Sequence, residues 1–198
     1  MPVFRAPYRF IVPAGSLLVG IACVFASGAW AQGLPSGGGR DLYRKLRFKA
    51  LGLARKGRTD ESIPYFRRMA RLQPYNEKAL WLYALALLHQ KRASKGAFKR
   101  DARRAVRLLQ SCVLMQKRYR KRSRALGLRY FFLGMAFWYA GDSLQALYSF
   151  QKAYRADYDR LDAVYNEYAL LNELGKKGEA TLALRRYIRL VKSSKVDD

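Results

Sequence analysis

The sequence has a single histidine, two cysteines and 14 acidic residues among 198, and each shortage removes a class of chemistry. With His89 alone, neither a His/Cys metal cluster nor a Ser/His/Asp arrangement has its parts, and His89 itself fits a helix surface. Asp60, Glu61, Asp142 and Glu179 fall where predicted second helices begin; negative charge there complements the helix dipole, which accounts for them without catalysis. The glycine-rich stretch Ser36 to Arg40 borders no strand and lacks the lysine of a phosphate-binding loop. We therefore expect no enzyme, no cofactor and no metal.

Acid is scarce where base is abundant. Thirty-nine Lys and Arg give a formal charge of +25, beyond what solubility requires, which points to an acidic or polyanionic partner. The apolar share of 51% is enough for one core or one short repeat array and leaves no room for a second domain.

The first 31 residues have the order of a secretory signal: Arg5 and Arg9 with no acid, a mostly apolar run from Phe10 to Ala26, then small residues. Ala29, Trp30 and Ala31 ahead of Gln32 fit the small-x-small rule, which places cleavage after Ala31. Pro13 and Gly15 shorten the cohesive part to Ser16 through Ala26, less than the ~20 residues a spanning helix needs. An uncleaved anchor over Phe10 to Ala31 is the alternative. Both put the remainder outside the cytoplasm, periplasmic or secreted, so nucleic acid is not expected as a partner. Cleavage removes Cys23 and leaves Cys112 as the only thiol, on the apolar side of a predicted helix, with no disulfide to form. Residues 32–40, rich in Gly, Pro and Ser, read as a flexible linker.

From Asp41 to Lys192 apolar residues recur at three- and four-residue steps, without the alternation of strands, so residues 41–195 read as all-α. Gly57, Gly141 and Gly175 each separate two amphipathic segments, which yields helical hairpins. The hairpins repeat. Tyr130, Leu133, Gly134 and Phe137 in one first helix are followed by Ala146, Phe150 and Ala153 in its second. Val164, Tyr168, Leu171, Gly175, Ala180, Leu184 and Tyr187 follow 34 residues later. Leu46, Ala50, Leu53, Gly57, Ser62, Phe66, Met69 and Pro74 form an earlier unit, and Leu80, Ala84 and Leu87 begin another 34 residues on.

With these residues the chain resembles the tetratricopeptide-repeat family. The resemblance covers residues 43–192 and implies a right-handed α-α superhelix, a solenoid of about four hairpins at 43–76, 77–120, 127–160 and 161–192. Ala105 arrives nine residues late, with Leu109 and Cys112 in step, so the second hairpin is expected to carry an enlarged turn, an insertion over 91–100. Tyr168 stands where a small residue is usual, which implies looser packing in the last hairpin. Leu51 stands where the family's carboxylate clamp wants an Asn, so capture of a chaperone C-terminus is not implied.

The resemblance also implies a groove lined by first helices. Position by position it offers Arg44, Arg47 and Arg55, then Lys78, Trp81, Leu85, Leu88 and His89. Phe131, Met135, Trp138 and Tyr139 come next, and Asp162, Tyr165, Asn172 and Glu173 last. Such a groove runs from basic through aromatic to mildly acidic and suits a peptide with an acidic end and apolar anchors. The same Trp81, Phe131 and Trp138 serve equally as helix-packing residues. A second surface is suggested by two dense basic segments. One contains Lys91, Arg92, Lys95, Lys99, Arg100, Arg103, Arg104 and Arg107; the other contains Lys117, Arg118, Arg120, Lys121, Arg122, Arg124 and Arg129. Placed at the ends of a helix of about 18 residues, they lie roughly 27 Å apart and form two patches or one stripe. A solvated surface is the plain reading of such runs; their adjacency without compensating acid favours a partner. The sequence thus leads to an envelope scaffold or adaptor holding a protein or peptide, or to a basic surface protein on anionic envelope polymers or lipid headgroups.

Overall fold

The computed structural model describes residues 38–90, 94–119 and 123–194. The expected signal segment, most of the linker, and Lys91, Arg92, Arg120, Lys121 and Arg122 lie outside the described residues. Among the described residues eight helices form four consecutive hairpins. They are α1 (Gly38–Arg55) with α2 (Thr59–Leu72), α3 (Glu77–Leu88) with α4 (Lys95–Tyr119), α5 (Arg124–Ala140) with α6 (Ser143–Ala156), and α7 (Leu161–Glu173) with α8 (Lys177–Ser194). The fold is all-α, a helix-pair repeat of the tetratricopeptide kind. Helix α1 already includes Gly38 to Arg40, which the sequence assigns to the linker.

Local chemistry explains where the helices start and stop. Gly57, Gly141 and Gly175 all take positive φ just past a first helix, a conformation a side chain would strain. Asn76, Ser123 and Asp142 cap α3, α5 and α6 by accepting the backbone N–H of Ala79, Leu126 and Gln145, each at 3.1 Å. Asp60, Glu61 and Glu179 do sit in first turns of second helices.

Two layers result. First helices touch first helices: Trp81 of α3 meets Phe132 of α5 edge-on at 5.2 Å, and Trp138 of α5 donates to Glu173 at the end of α7 at 3.4 Å. Between second helices, the Arg186 guanidinium of α8 lies 5.7 Å from the Tyr154 ring of α6. Between the layers the small residues Ala50, Ala84, Gly134, Ala146 and Ala153 and the large Phe66 and Phe150 are all buried, with Gly134 facing the Phe150 ring. Helix α3 is surrounded: every residue from Ala79 to Leu88 is buried.

The second hairpin departs from expectation. Residues 95–100 are not an enlarged turn; they are the first turns of α4, which runs for 25 residues, roughly 37 Å. Its extension is amphipathic enough to hold. Ala102 is fully buried, Phe98 meets the Tyr139 ring at 5.1 Å, and Ser94 Oγ accepts the N–H of Ala97 at 3.3 Å. In the last hairpin Tyr168 is half-buried against Tyr165, and both helices supply small buried residues, Ala163 and Ala169 from α7 and Ala180 and Ala183 from α8.

Cys112 is fully buried in α4, its thiol donating to the Glu77 carbonyl at 3.6 Å. Burial first, then the Glu77 charge, push it up to about 12, so it stays a neutral thiol. No helix among the described residues is long and apolar enough to cross a membrane.

Gly134 shows how tightly a hairpin closes. A Cβ there would stand 2.7 and 2.8 Å from ring carbons of Phe150, which is itself fully enclosed. Alanine gains about 0.5–1 kcal/mol of helix preference, but overpacking at such a contact costs about 1–3 kcal/mol. Gly134→Ala should therefore lower stability in urea unfolding, and adding Phe150→Leu should recover part of the loss. A Gly134→Ala protein as stable as the parent would contradict this packing.

Candidate functional site

Helix periodicity puts one side of α1, α3, α5 and α7 on a common face, and the structure sorts the expected groove residues along it into three groups. Trp81, Phe131 and Met135 are interior, with exposures of 1%, 1% and 3%. The expectation of three groove anchors gives way to core packing. Trp81 lies between the Phe132 ring and the Arg129 guanidinium, 4.2 Å from its centroid, while Phe131 touches both Phe132 and Phe150. Leu51, Leu85 and Leu88 are buried as well.

A second group forms a cationic end. Arg44 is exposed and bonds Asp41 at 2.6 Å, an exposed pair of little energetic weight. Arg55 is also exposed. Arg47 is half-buried: its Nε is enclosed and has no hydrogen-bond partner among the described residues. It acts on Tyr43 one turn earlier and on Lys78 across the junction with α3. Burial first, then the Arg47 charge, hold the Lys78 ammonium below its ordinary range, with Glu77 pulling the other way. Two cations on neighbouring first helices thus share a partly desolvated space.

The third group is a polar and aromatic rim around a small recess. Leu88, His89, Phe131, Phe132, Met135 and Tyr139 line about 40 Å³, room for a water or two or the tip of a side chain. His89 does not lie on an open helix surface as expected. It caps the end of α3, half-buried, with an enclosed Nε2 that has no partner among the described residues. Burial holds it below its ordinary range, so it is neutral at pH 7. Burial also raises the Tyr139 phenol. Trp138 and Tyr139 are half-buried, their rings 5.0 Å apart. Further along, Asn172 and Tyr165 are half-buried and Glu173 is exposed. The Asp162 carboxyl is raised chiefly by burial, with Arg160 and the Ala163 N–H opposing.

The basic segments sort differently. Arg100, Arg103, Arg104, Arg107, Lys117 and Arg118 are exposed on the single helix α4, so the two expected patches share one rod instead of flanking a short one. Arg124 is exposed at the start of α5 and pairs with Asp159 at 2.9 Å. Arg129 leaves the basic set: it is enclosed and donates to Glu77 at 2.7 Å. Sequence reasoning passed over Glu77, Phe132 and this use of Arg129. Residues 52 positions apart carry no local signal of pairing. Among the described residues no group of three His, Cys, Asp or Glu gathers to hold a metal.

No protein-family model and no curated protein matches the chain. Solved structures do. A MamA protein, the RS-1 ArsTM double mutant, matches with a TM-score of 0.64 at 16% identity, over 81% of this chain and 79% of the other. Two further crystal structures of MamA give 0.62 and 0.57 at 16% and 18% identity. They cover 77% and 71% of this chain and 74% and 73% of theirs. At these identities the likeness is one of fold: a tetratricopeptide-like array of helical hairpins.

His89 generates a prediction with a definite sign. The unfolded chain takes up its proton near the ordinary value of about 6.5, before the folded chain does, so acidification favours unfolding. The stability that neutral His89 contributes is present above about pH 6.5 and lost as pH falls through its lower folded value. His89→Leu should flatten the acid limb of stability against pH between about 7 and 5, by at most about 1.4 kcal/mol per pH unit. Parallel curves for parent and variant would mean the imidazole is not enclosed.

Proposed function

We propose that the chain is a non-catalytic scaffold that holds an extended protein segment with an acidic end along its first helices. It acts outside the cytoplasm, once residues 1–31 have directed it there. The observation that carries this reading is the half-buried Arg47, its Nε enclosed beside a second cation, Lys78. Placing like charges side by side in a partly desolvated space is unfavourable, and an incoming carboxylate relieves it with charge-assisted hydrogen bonds. Trp138 and Tyr139 farther along the same face retain accessible ring surface for apolar side chains of the same segment. The interior positions of Trp81, Phe131 and Met135 narrow the ligand's anchors to the two ends of the face. The hairpin fold shared with MamA structures is compatible with such a role.

A photo-crosslinking residue at position 138, used in cells and followed by mass spectrometry, should capture a protein whose crosslinked segment is acidic. Arg47→Glu should reduce that capture by roughly tenfold or more. Capture of lipid or glycan alone, or capture indifferent to Arg47→Glu, would end this reading.

A further inference from the structure

Helix α4 carries a feature the groove does not use. Its 25 residues contain eight Lys and Arg against one acid, Asp101, and Gln90 donates to that acid at 3.1 Å. At 100° per residue, Arg100, Arg103, Arg104, Arg107, Lys117 and Arg118 fall within an arc of about 140°. All six are exposed, on the face turned away from the core. Among the described residues, Arg100, Arg103, Arg107 and Arg118 make no ion pair.

The stripe is not purely charged. Leu114 lies near the middle of the arc, between Arg107 and Arg118, and is 63% exposed. Lys117 hydrogen-bonds Tyr130 of α5, its ammonium 5.7 Å from that ring, and lies within electrostatic reach of Tyr148 of α6. Tyr148 is 54% exposed and has the Lys152 ammonium 5.1 Å above its ring; Leu144, one turn before it, is 66% exposed. Exposed leucine and tyrosine thus sit among cations on two second helices, Leu114 on α4 and Leu144 with Tyr148 on α6.

We propose that this outer face of α4 and the start of α6 docks the protein on an anionic lipid bilayer. The charge complements anionic headgroups, and long Lys and Arg stems can reach the phosphates while Leu114, Leu144 and Tyr148 enter the interfacial zone between them. A soluble polyanion would use the cations alone and gain nothing from exposed leucines at their centre. That difference decides for the membrane over a nucleic acid or an acidic polysaccharide. The contact is peripheral, since no described helix is long and apolar enough to cross. It lies on the second helices and leaves the face of the first helices open for a protein ligand.

The full chain should sediment with vesicles of phosphatidylcholine mixed with phosphatidylglycerol and only weakly with phosphatidylcholine alone. Binding should fall by roughly tenfold or more on raising salt from low to several times physiological strength. The pair Arg103→Glu and Arg107→Glu should reduce it by a similar factor. Leu114→Ser with Tyr148→Ser should reduce vesicle binding severalfold while leaving retention on soluble polyphosphate unchanged. All four positions are exposed, so unchanged circular dichroism and melting should confirm that each variant is folded. Equal binding to both vesicle types, undisturbed by any of these substitutions, would overturn the proposal by assigning attachment to the apolar amino-terminal segment. Loss of vesicle binding in the charge variant alone, with the Leu114 and Tyr148 variant bound as the parent, would overturn it in favour of a polyanion site.

Discussion

Three helices of this array meet at one carboxylate. Glu77, at the start of α3, accepts Arg129 of α5 at 2.7 Å and Gln116 of α4 at 3.1 Å, while its own carbonyl takes the Cys112 thiol. The pair is largely enclosed, with side-chain exposures of 14% and 22%. Enclosed charge is expensive unless its lone pairs and protons are satisfied, and here they are: two donors on the carboxylate, a ring beneath the guanidinium. This join stands where the repeat spacing is most disturbed. The second and third hairpins are separated by a lengthened α4, so their relation cannot follow from regular stacking. A specific charged contact with the Trp81 and Phe132 rings beside it sets the register that the repeat pattern alone leaves open.

From that join the two surfaces acquire their characters. Because α3 is enclosed from Ala79 to Leu88, the second hairpin has no side chains there to offer a ligand, and the face of the first helices is polar at one end and aromatic at the other. Because α4 is long, its outward side carries cations toward both ends of one rod, with exposed Leu114 between them. A regular repeat would have given a shorter second helix after a short turn. The displacement in the repeat is thus what creates the basic stripe.

Much of the hairpin pattern was legible in the sequence because it depends on local size and spacing. Gly134 against Phe150, and Ala50 and Ala84 at matching positions, are read directly from a 34-residue recurrence, and the glycines at 57, 141 and 175 mark turns that need positive φ. What sequence reasoning could not resolve was which apolar residues face inward. Helix α3 and the middle of α5 are apolar nearly all round, so periodicity assigns no face, and Trp81, Phe131 and Met135 could be placed in a groove or in a core with equal justice. The start of α4 was missed because Lys95, Lys99 and Arg100 look like a solvated turn. Phe98, through its distant partner Tyr139, joins the Ser94 cap and buried Ala102 in making that stretch worth winding into helix. Asn166 shows the remaining gap: it is fully buried with both amide atoms unpartnered among the described residues, and nothing in its neighbours' identities announces this.

The sealed thiol of Cys112 has a consequence for where such a molecule can be assembled. A sulfur that stays protonated until about pH 12 and never meets solvent is neither a substrate for oxidants nor a partner in exchange with glutathione. Packing and the Glu77 contact, not a disulfide, hold the described helices together. A shift in the ambient redox poise therefore finds no accessible thiol among the described residues of the folded array.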